Sequence, residues 1–316
     1  MRRGRQTPPA RRWVQGGLLL GFLLLFARTA YRGRDVLDWP VHLVFRLDPL
    51  AALAQWLAGG ASILTAAWLG AGLLLLLTAG LGRFFCGWAC PLGTTLDLLG
   101  GGLRRLLGSK KRQASLPAWT APAVLAALTS ATLLGLPLLG LLDPLSVLLR
   151  TLTLSLHPLF DAAAKGVFAG LDRSHLPIVA PAGEALYEFV KPRLLAFGKP
   201  AFLLSGLTGL AFAGVVALEL RATRFWCAHL CPLGALLGLV SRFSPLRRRR
   251  SLACGACSAC EAACPTGAAL DDPADASLCV QCGACAQSAA PRPPAGPGGG
   301  ARRPLPSRPG RSDGRC

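Results

Sequence analysis

Charge is scarce in this sequence: Asp, Glu, Lys and Arg make up 16% of its 316 residues, against 52% apolar. That balance argues against a water-soluble domain as the main body of the chain. Acidic residues are scarcest, 15 against 34 Lys and Arg, which leaves a net charge of +19. An excess of that size usually answers nucleic acid, anionic lipid or the cytoplasmic flanks of membrane spans. The basic residues fall in short blocks beside apolar runs: Arg2, Arg3, Arg5, Arg11 and Arg12; Arg104, Arg105, Lys110, Lys111 and Arg112; and the four arginines at 247–250. No basic stripe is interleaved with aromatics, so a nucleic-acid face is not expected. Methionine is nearly absent, with one residue, which weakens any case for thioether copper ligation.

What is present begins with apolar runs. Residues 13–30, 58–81, 119–142 and 201–220 each approach the ~20 residues needed to cross a bilayer. The first has the basic start of a secretory signal, but no small-x-small cleavage site follows cleanly, and it reads as a retained helix. With the amino terminus inside, four spans place residues 28–56 and 143–200 outside, and residues 82–118 inside with the carboxyl end. The basic blocks favour that parity, although Arg28, Arg32, Arg34 and Arg46 in the first outer loop count against it. Residues 144–160 are apolar but interrupted by Arg150 and His157, and read as an interfacial or re-entrant helix.

An internal repeat follows two of the spans. Arg83-Phe84-Phe85-Cys86-Gly87-Trp88-Ala89-Cys90-Pro91-Leu92-Gly93 is matched by Arg224-Phe225-Trp226-Cys227-Ala228-His229-Leu230-Cys231-Pro232-Leu233-Gly234. Each copy is preceded by Asp-Pro-Leu, at Asp48-Pro49-Leu50 and Asp143-Pro144-Leu145, which reads first as an N-cap with proline in the opening turn. A role for either aspartate in releasing protons at an outer quinone site is the sharper alternative. Cysteines four apart share a face if the turn between them is helical, so Cys86, Cys90, Cys227 and Cys231 offer four thiolates for a metal, a cluster or paired redox dithiols. The plainer alternative is thiols packing a tight helix junction. His229 between two cysteines is a candidate ligand or proton acceptor, but its counterpart is Trp88, which favours a packing role.

The strongest signal lies beyond the last basic block: Cys254-x2-Cys257-x2-Cys260-x3-Cys264-Pro265, then Cys279-x2-Cys282-x2-Cys285. Such spacing wraps three thiolates around one cubane while the cysteine before proline reaches its neighbour; zinc sites use two separated pairs instead. The second motif should close at position 289, which is Ala289. By the crossing rule Cys264 completes the cluster of Cys279, Cys282 and Cys285, so one [4Fe-4S] cluster is complete. The one held by Cys254, Cys257 and Cys260 lacks a ligand, leaving a [3Fe-4S] form, a labile four-iron form or none. The expected organisation is a basic cytoplasmic amino terminus at 1–12, a transmembrane domain at 13–246, a ferredoxin-type domain at 247–288, and a disordered or frameshifted tail at 289–316 ending in Cys316.

On these motifs the chain resembles the membrane iron-sulfur proteins of the periplasmic nitrate reductase accessory quinol dehydrogenase type. Nitrous oxide reductase regulatory proteins and cytochrome oxidase accessory proteins are their relatives. The resemblance covers about residues 13–288. It implies an all-α polytopic protein of the inner (plasma) membrane with about four transmembrane helices, both termini cytoplasmic, and a small ferredoxin-like α+β segment carrying two [4Fe-4S] clusters. It also implies electron passage between the quinone pool and a redox partner, ferredoxin-like or a cytochrome subunit. Two other classes of function compete: a maturation factor that reduces or delivers copper to a respiratory oxidase, and a membrane redox sensor, for which no soluble signalling domain is visible.

Overall fold

A computed structural model describes residues 9–29, 42–59, 66–109, 116–173, 205–246, 248, 259–268 and 275–288. Cys254, Cys257, Ala289, Cys316, the tail and much of the second outer loop therefore lie outside the described residues. Helices come in the order α1 (Pro9–Arg28), α2 (His42–Phe45), α3 (Pro49–Gly59), α4 (Ala66–Leu81), α5 (Pro91–Leu106), α6 (Thr120–Leu133), α7 (Leu138–Leu141), α8 (Pro144–Thr151), α9 (His157–Arg173), α10 (Ser205–Arg221) and α11 (Pro232–Ser241). Two short helices, α12 (Ala259–Ala263) and α13 (Ala284–Ser288), follow.

The repeat proves larger than its sequence signature. α4 packs on α11 and α10 on α5, so the apolar helix of each half lies against the helix that follows the cysteines of the other half. α1 rests on α5 as α6 rests on α11, and α3 meets α4 as α8 meets α10. The whole set α1, α3, α4 and α5 is thus answered by α6, α8, α10 and α11, and the helix before each Asp-Pro belongs to the repeat. The core between the halves includes Leu50, Leu92, Leu96, Leu139, Leu148, Leu233 and Leu237, together with Cys86, Cys90, Cys227 and Cys231.

Several expectations need correction. The third apolar run is not one helix: α6 ends at Leu133, Gly135 takes a positive φ of 88°, and Pro137 leads into α7. Glycine is the residue that enters this region without strain, and proline cannot extend the turn before it. By itself, only Ala10–Arg28 among the described residues is long and apolar enough to cross a membrane; Trp68–Leu81, Thr120–Leu133 and Pro232–Ser241 are apolar but shorter. The run beginning at Pro144 outlasts the predicted residue 160, because a wide π turn at Leu152–Leu156 joins α8 to α9 across Pro158. Such a turn makes room where proline lacks its N–H and its ring crowds the preceding carbonyls.

The described part of the ferredoxin segment is also not α+β. It holds α12, a 3-10 turn at Asp275–Leu278 and α13, with no strand among the described residues. Its carbonyls are used differently: Ser277, Gln281 and Pro265 accept hydrogen bonds from Arg83, Trp88 and Thr223 of the repeats. Backbone groups spent on docking are not available to a ladder.

Candidate functional site

Both cysteine motifs adopt the same local structure for the same reason. A residue before proline is pushed from the α region toward extended backbone. Cys90 and Cys231 obey, with ψ of 118° and 115°, and the preceding helical turn closes as a π turn, Cys90 N–H donating to Phe85 O at 2.9 Å and Cys231 N–H to Trp226 O at 2.8 Å. Each cysteine then caps the next helix: Gly93 N–H points to Cys90 Sγ at 3.5 Å and Gly234 N–H to Cys231 Sγ at 3.3 Å. The two sulfurs therefore sit at helix N-termini, where negative charge is favoured.

Two arginines tie the motifs together across the pseudo-two-fold. Arg83 donates to Cys227 O at 3.0 Å, and Arg224 donates to Cys86 O at 2.6 Å. Both are about 1% exposed. Their second partners differ. Arg224 is held by Asp97, Nη2 to Oδ2 at 2.6 Å and Nε to Oδ1 at 3.1 Å, and Arg11 reaches the same carboxylate at 3.0 Å. The position equivalent to Asp97 is Gly238, whose missing side chain leaves room for Ser277 O; a Cβ there would stand 3.1 Å from that oxygen. Arg83 donates to Ser277 O instead, at 2.6 Å. One half thus offers a carboxylate and the other accepts the ferredoxin segment.

The four repeat thiols are buried and act on one another's charge. Burial pushes Cys227 up to about 12; Arg224 pulls the other way, while Cys86 adds to the rise. Burial raises Cys90 and Cys231 as well, with Cys227 and Cys86 raising both further. Cys90, Cys227 and Cys231 therefore hold their protons more tightly than a free thiol, and a bound metal or cluster would have to displace them. Asp97 starts from burial, which raises it, yet Arg224 and then Arg11 draw it below the ordinary aspartate range. His229 is 1% exposed; burial and the Arg83 charge lower its pKa. Thr120 spends its hydroxyl proton on Pro117 O at 2.9 Å, so His229 Nδ1 is the donor in its 2.9 Å contact with Thr120 Oγ1, and buried Nε2 keeps a lone pair without a partner.

The ferredoxin segment lies against these motifs. Trp88 Nε1 donates to Gln281 O at 3.0 Å, Thr223 Oγ1 to Pro265 O at 2.9 Å, and Gly87 stands so close to the Val280 carbonyl that any Cβ would collide with it. Cys282 joins the same buried cluster as the four repeat cysteines. Cys260, Cys264, Cys279, Cys282 and Cys285 line one cleft with Arg248. Burial raises Cys279 and Cys285; Cys264 and Cys282 raise both further. Cys264 thus shares the cleft with Cys279, Cys282 and Cys285. Cys260 borders the same cleft.

Among the described residues no group of three or more His, Cys, Asp or Glu side chains is placed to hold one metal ion. A four-iron cube presents separate irons to its thiolates, so its ligands stand farther apart than four ligands of one ion.

What sequence reasoning missed is the support around the cysteines. Arg83 and Arg224 stand in the aligned repeat and could have been noticed as cationic residues in an apolar setting. Asp97, Gly238 and Glu219 carried no signal. Glu219 is fully buried, accepts from Arg224 N–H at 2.9 Å and lies 3.7 Å from Arg104.

Comparisons with known proteins agree on the class. A family described as a 4Fe-4S binding domain matches residues 63–112 and 204–252, which are the two cysteine repeats and not the segment after Cys254. The putative electron transport protein YccM of Escherichia coli (strain K12) is 27% identical over 213 residues, 65% of this chain and 48% of that protein. The ferredoxin-type protein NapH of Haemophilus influenzae is 26% identical over 231 residues, 69% of this chain and 63% of its own length. The methylamine utilization ferredoxin-type protein MauN of Methylorubrum extorquens is 31% identical over 223 residues, 66% of this chain and 58% of its own. The chain therefore spans between about half and just under two thirds of these relatives. No solved structure matches it.

Proposed function

We propose, from the premise that this chain belongs to the polyferredoxin family related to NapH, that it carries electrons between a membrane quinone and a redox protein partner through iron-sulfur clusters. The observation that carries the reading is the docking of the ferredoxin segment on the cysteine repeats, with Cys282 in the same buried cluster as Cys86, Cys90, Cys227 and Cys231.

Cys264, Cys279, Cys282 and Cys285 would hold one [4Fe-4S] cluster, and Cys260, with Cys254 and Cys257, the incomplete one. A bound cluster supplies one-electron exchange at a potential set by charge, hydrogen bonding and solvent exposure. The chain's own residues set those conditions. Arg248 puts positive charge beside the cleft, and Arg224 and Arg83 anchor both repeat motifs. The four repeat thiols form a relay or a second cluster site at the inner face. Membrane residence is supported by leucines turned outward on three apolar helices: Leu20 and Leu24 on α1, Leu69, Leu73 and Leu76 on α4, and Leu207 and Leu210 on α10 are more than half exposed. In lipid that surface costs nothing; in water it would be an aggregation hazard. The proposed arrangement is a multi-pass inner-membrane protein with both termini cytoplasmic.

The copper-delivery reading rests on the four repeat thiols alone, with a single methionine in the chain to add a soft ligand. The test is low-temperature electron paramagnetic resonance with iron and sulfide assays on anaerobically purified protein, before and after a quinol analogue. The expected result is a reduced four-iron signal that responds to quinol, and its loss in Cys264→Ser together with about four iron and four sulfide per chain. Protein without iron or sulfide after reconstitution would overturn the proposal. Copper binding with no quinol-linked reduction would move it to metal delivery.

A further inference from the structure

The two Asp-Pro starts, far apart in sequence, meet in the structure. Asp48 caps α3, its Oδ1 accepting from Leu50 N–H at 2.8 Å, and Asp143 caps α8, its Oδ2 accepting from Ser146 N–H at 2.9 Å. Each carboxyl group so spends one oxygen on its own helix. The second oxygens, Asp48 Oδ2 and Asp143 Oδ1, are buried with no donor available while both groups are ionised, and the residues are 2% and 1% exposed. The side chains lie within hydrogen-bonding reach of each other. Two carboxylates cannot bond; a carboxylic acid and a carboxylate can.

We propose that Asp48 and Asp143 bind one proton between them, forming an acid–carboxylate hydrogen bond that joins the two repeats. The ligand is the proton itself, and the site is independent of the cluster-binding cysteines.

Electrostatics agree with the geometry. Burial raises both groups, and the charge of Asp143 raises Asp48 further, while the bond from Asp48 lowers Asp143. That is the sign expected when the pair keeps one proton and one negative charge, as close carboxyl pairs do. The helix N-termini beneath them favour the single remaining charge. Among the described residues no cation is bonded to either free oxygen, and Arg46, two positions before Asp48, is exposed. α3 packs on α4, α6, α7 and α11, none of which contains Asp, Glu, His, Lys or Arg. α8 carries Arg150 and packs on α5 and α10, whose charged residues are Asp97, Arg104, Arg105, Glu219 and Arg221; Asp97 is taken by Arg224 and Arg11, and Glu219 by Arg104. Beyond α8, the adjoining α9 offers His157, Asp161 and Lys165, with Lys165 paired to Asp161.

The sign of the pH dependence follows. Because the folded pair holds its proton more tightly than the unfolded chain, its contribution is fully present below the unfolded aspartate pKa and is lost as pH rises through the raised folded value, when two buried anions face each other.

Infrared spectroscopy on the full chain in detergent tests the site. Protein labelled with carboxyl-13C aspartate is compared with unlabelled protein, so that a protonated aspartate is distinguished from Glu219. We expect an aspartic acid carbonyl band at pH 7 that moves in the labelled protein, bleaches on alkaline titration, and is absent from both Asp48→Asn and Asp143→Asn. Asparagine still caps a helix and donates to the remaining carboxylate without a titratable proton, so the fall in melting temperature with rising pH expected of the wild type should disappear in both variants. Wild-type protein with no aspartic acid band at neutral pH overturns the proposal without reliance on a variant. A band that survives in both variants overturns it equally.

Discussion

Arg83 and Arg224 occupy equivalent positions, and the difference between them is a matter of single residues. Asp97 neutralises Arg224, while Gly238 gives Arg83 an opening to Ser277 O. Replacing Asp97 by Asn leaves Arg224 buried without its counter-ion, a loss of about 3 kcal/mol for breaking a buried pair, somewhat offset because Asp97 is partly exposed. Chemical unfolding of the variant against the wild type measures it. Asp97 sits below its unfolded value, so its contribution is present above the ordinary aspartate pKa of about 3.9 and is lost as pH falls through the lower folded value. Asp97→Asn should remove that part of the acid transition.

The cysteine clusters, the duplication and the capping aspartates could be read at this scale because spacing and proline context dictate them locally. The exchange of partners between halves could not. Arg83 and its acceptor Cys227 O are 144 positions apart, and no periodicity in either segment records the contact.

Among the elements, the turn ending at each Cys-Pro is where the fold and the site become one structure. Proline at the first position of α5 and α11 forces the cysteine before it out of the helix, and this aims Sγ at the N–H of the following glycine. The turn from Phe85 to Ala89 also presents Gly87 to the ferredoxin segment. Gly87→Ala should displace the segment while leaving the repeats folded, since a Cβ meets backbone that cannot rotate away. Limited proteolysis should then cut more readily between the basic block and Cys279, and quinol-driven reduction should slow at unchanged iron content. Trp88→Phe is the milder companion, costing about 1 kcal/mol for one hydrogen bond.

Element lengths explain the other differences from sequence. A run of apolar residues states that a segment avoids water, not that it is one helix, and Gly135 with Pro137 breaks the third run where hydropathy stays high. The described part of the ferredoxin segment differs in the opposite direction: its spacing specifies ligands but says nothing of strands, and the carbonyls of Pro265, Ser277 and Gln281 go to the repeats.

At the scale of the whole molecule, two halves exchange helices around a core that contains the four repeat thiols. Fusions of a reporter to each terminus should place both on the cytoplasmic face, and opposite signals from the two ends would refute the paired-repeat arrangement in the membrane. The interlock has a consequence for dissection of the chain. Since the arginine of either half finds its cysteine carbonyl on the other, a single half expressed alone leaves that buried guanidinium without this acceptor. The two halves are therefore not interchangeable modules: Asp97 closes one face on its own arginines, while Gly238 opens the other to the segment that carries Ser277.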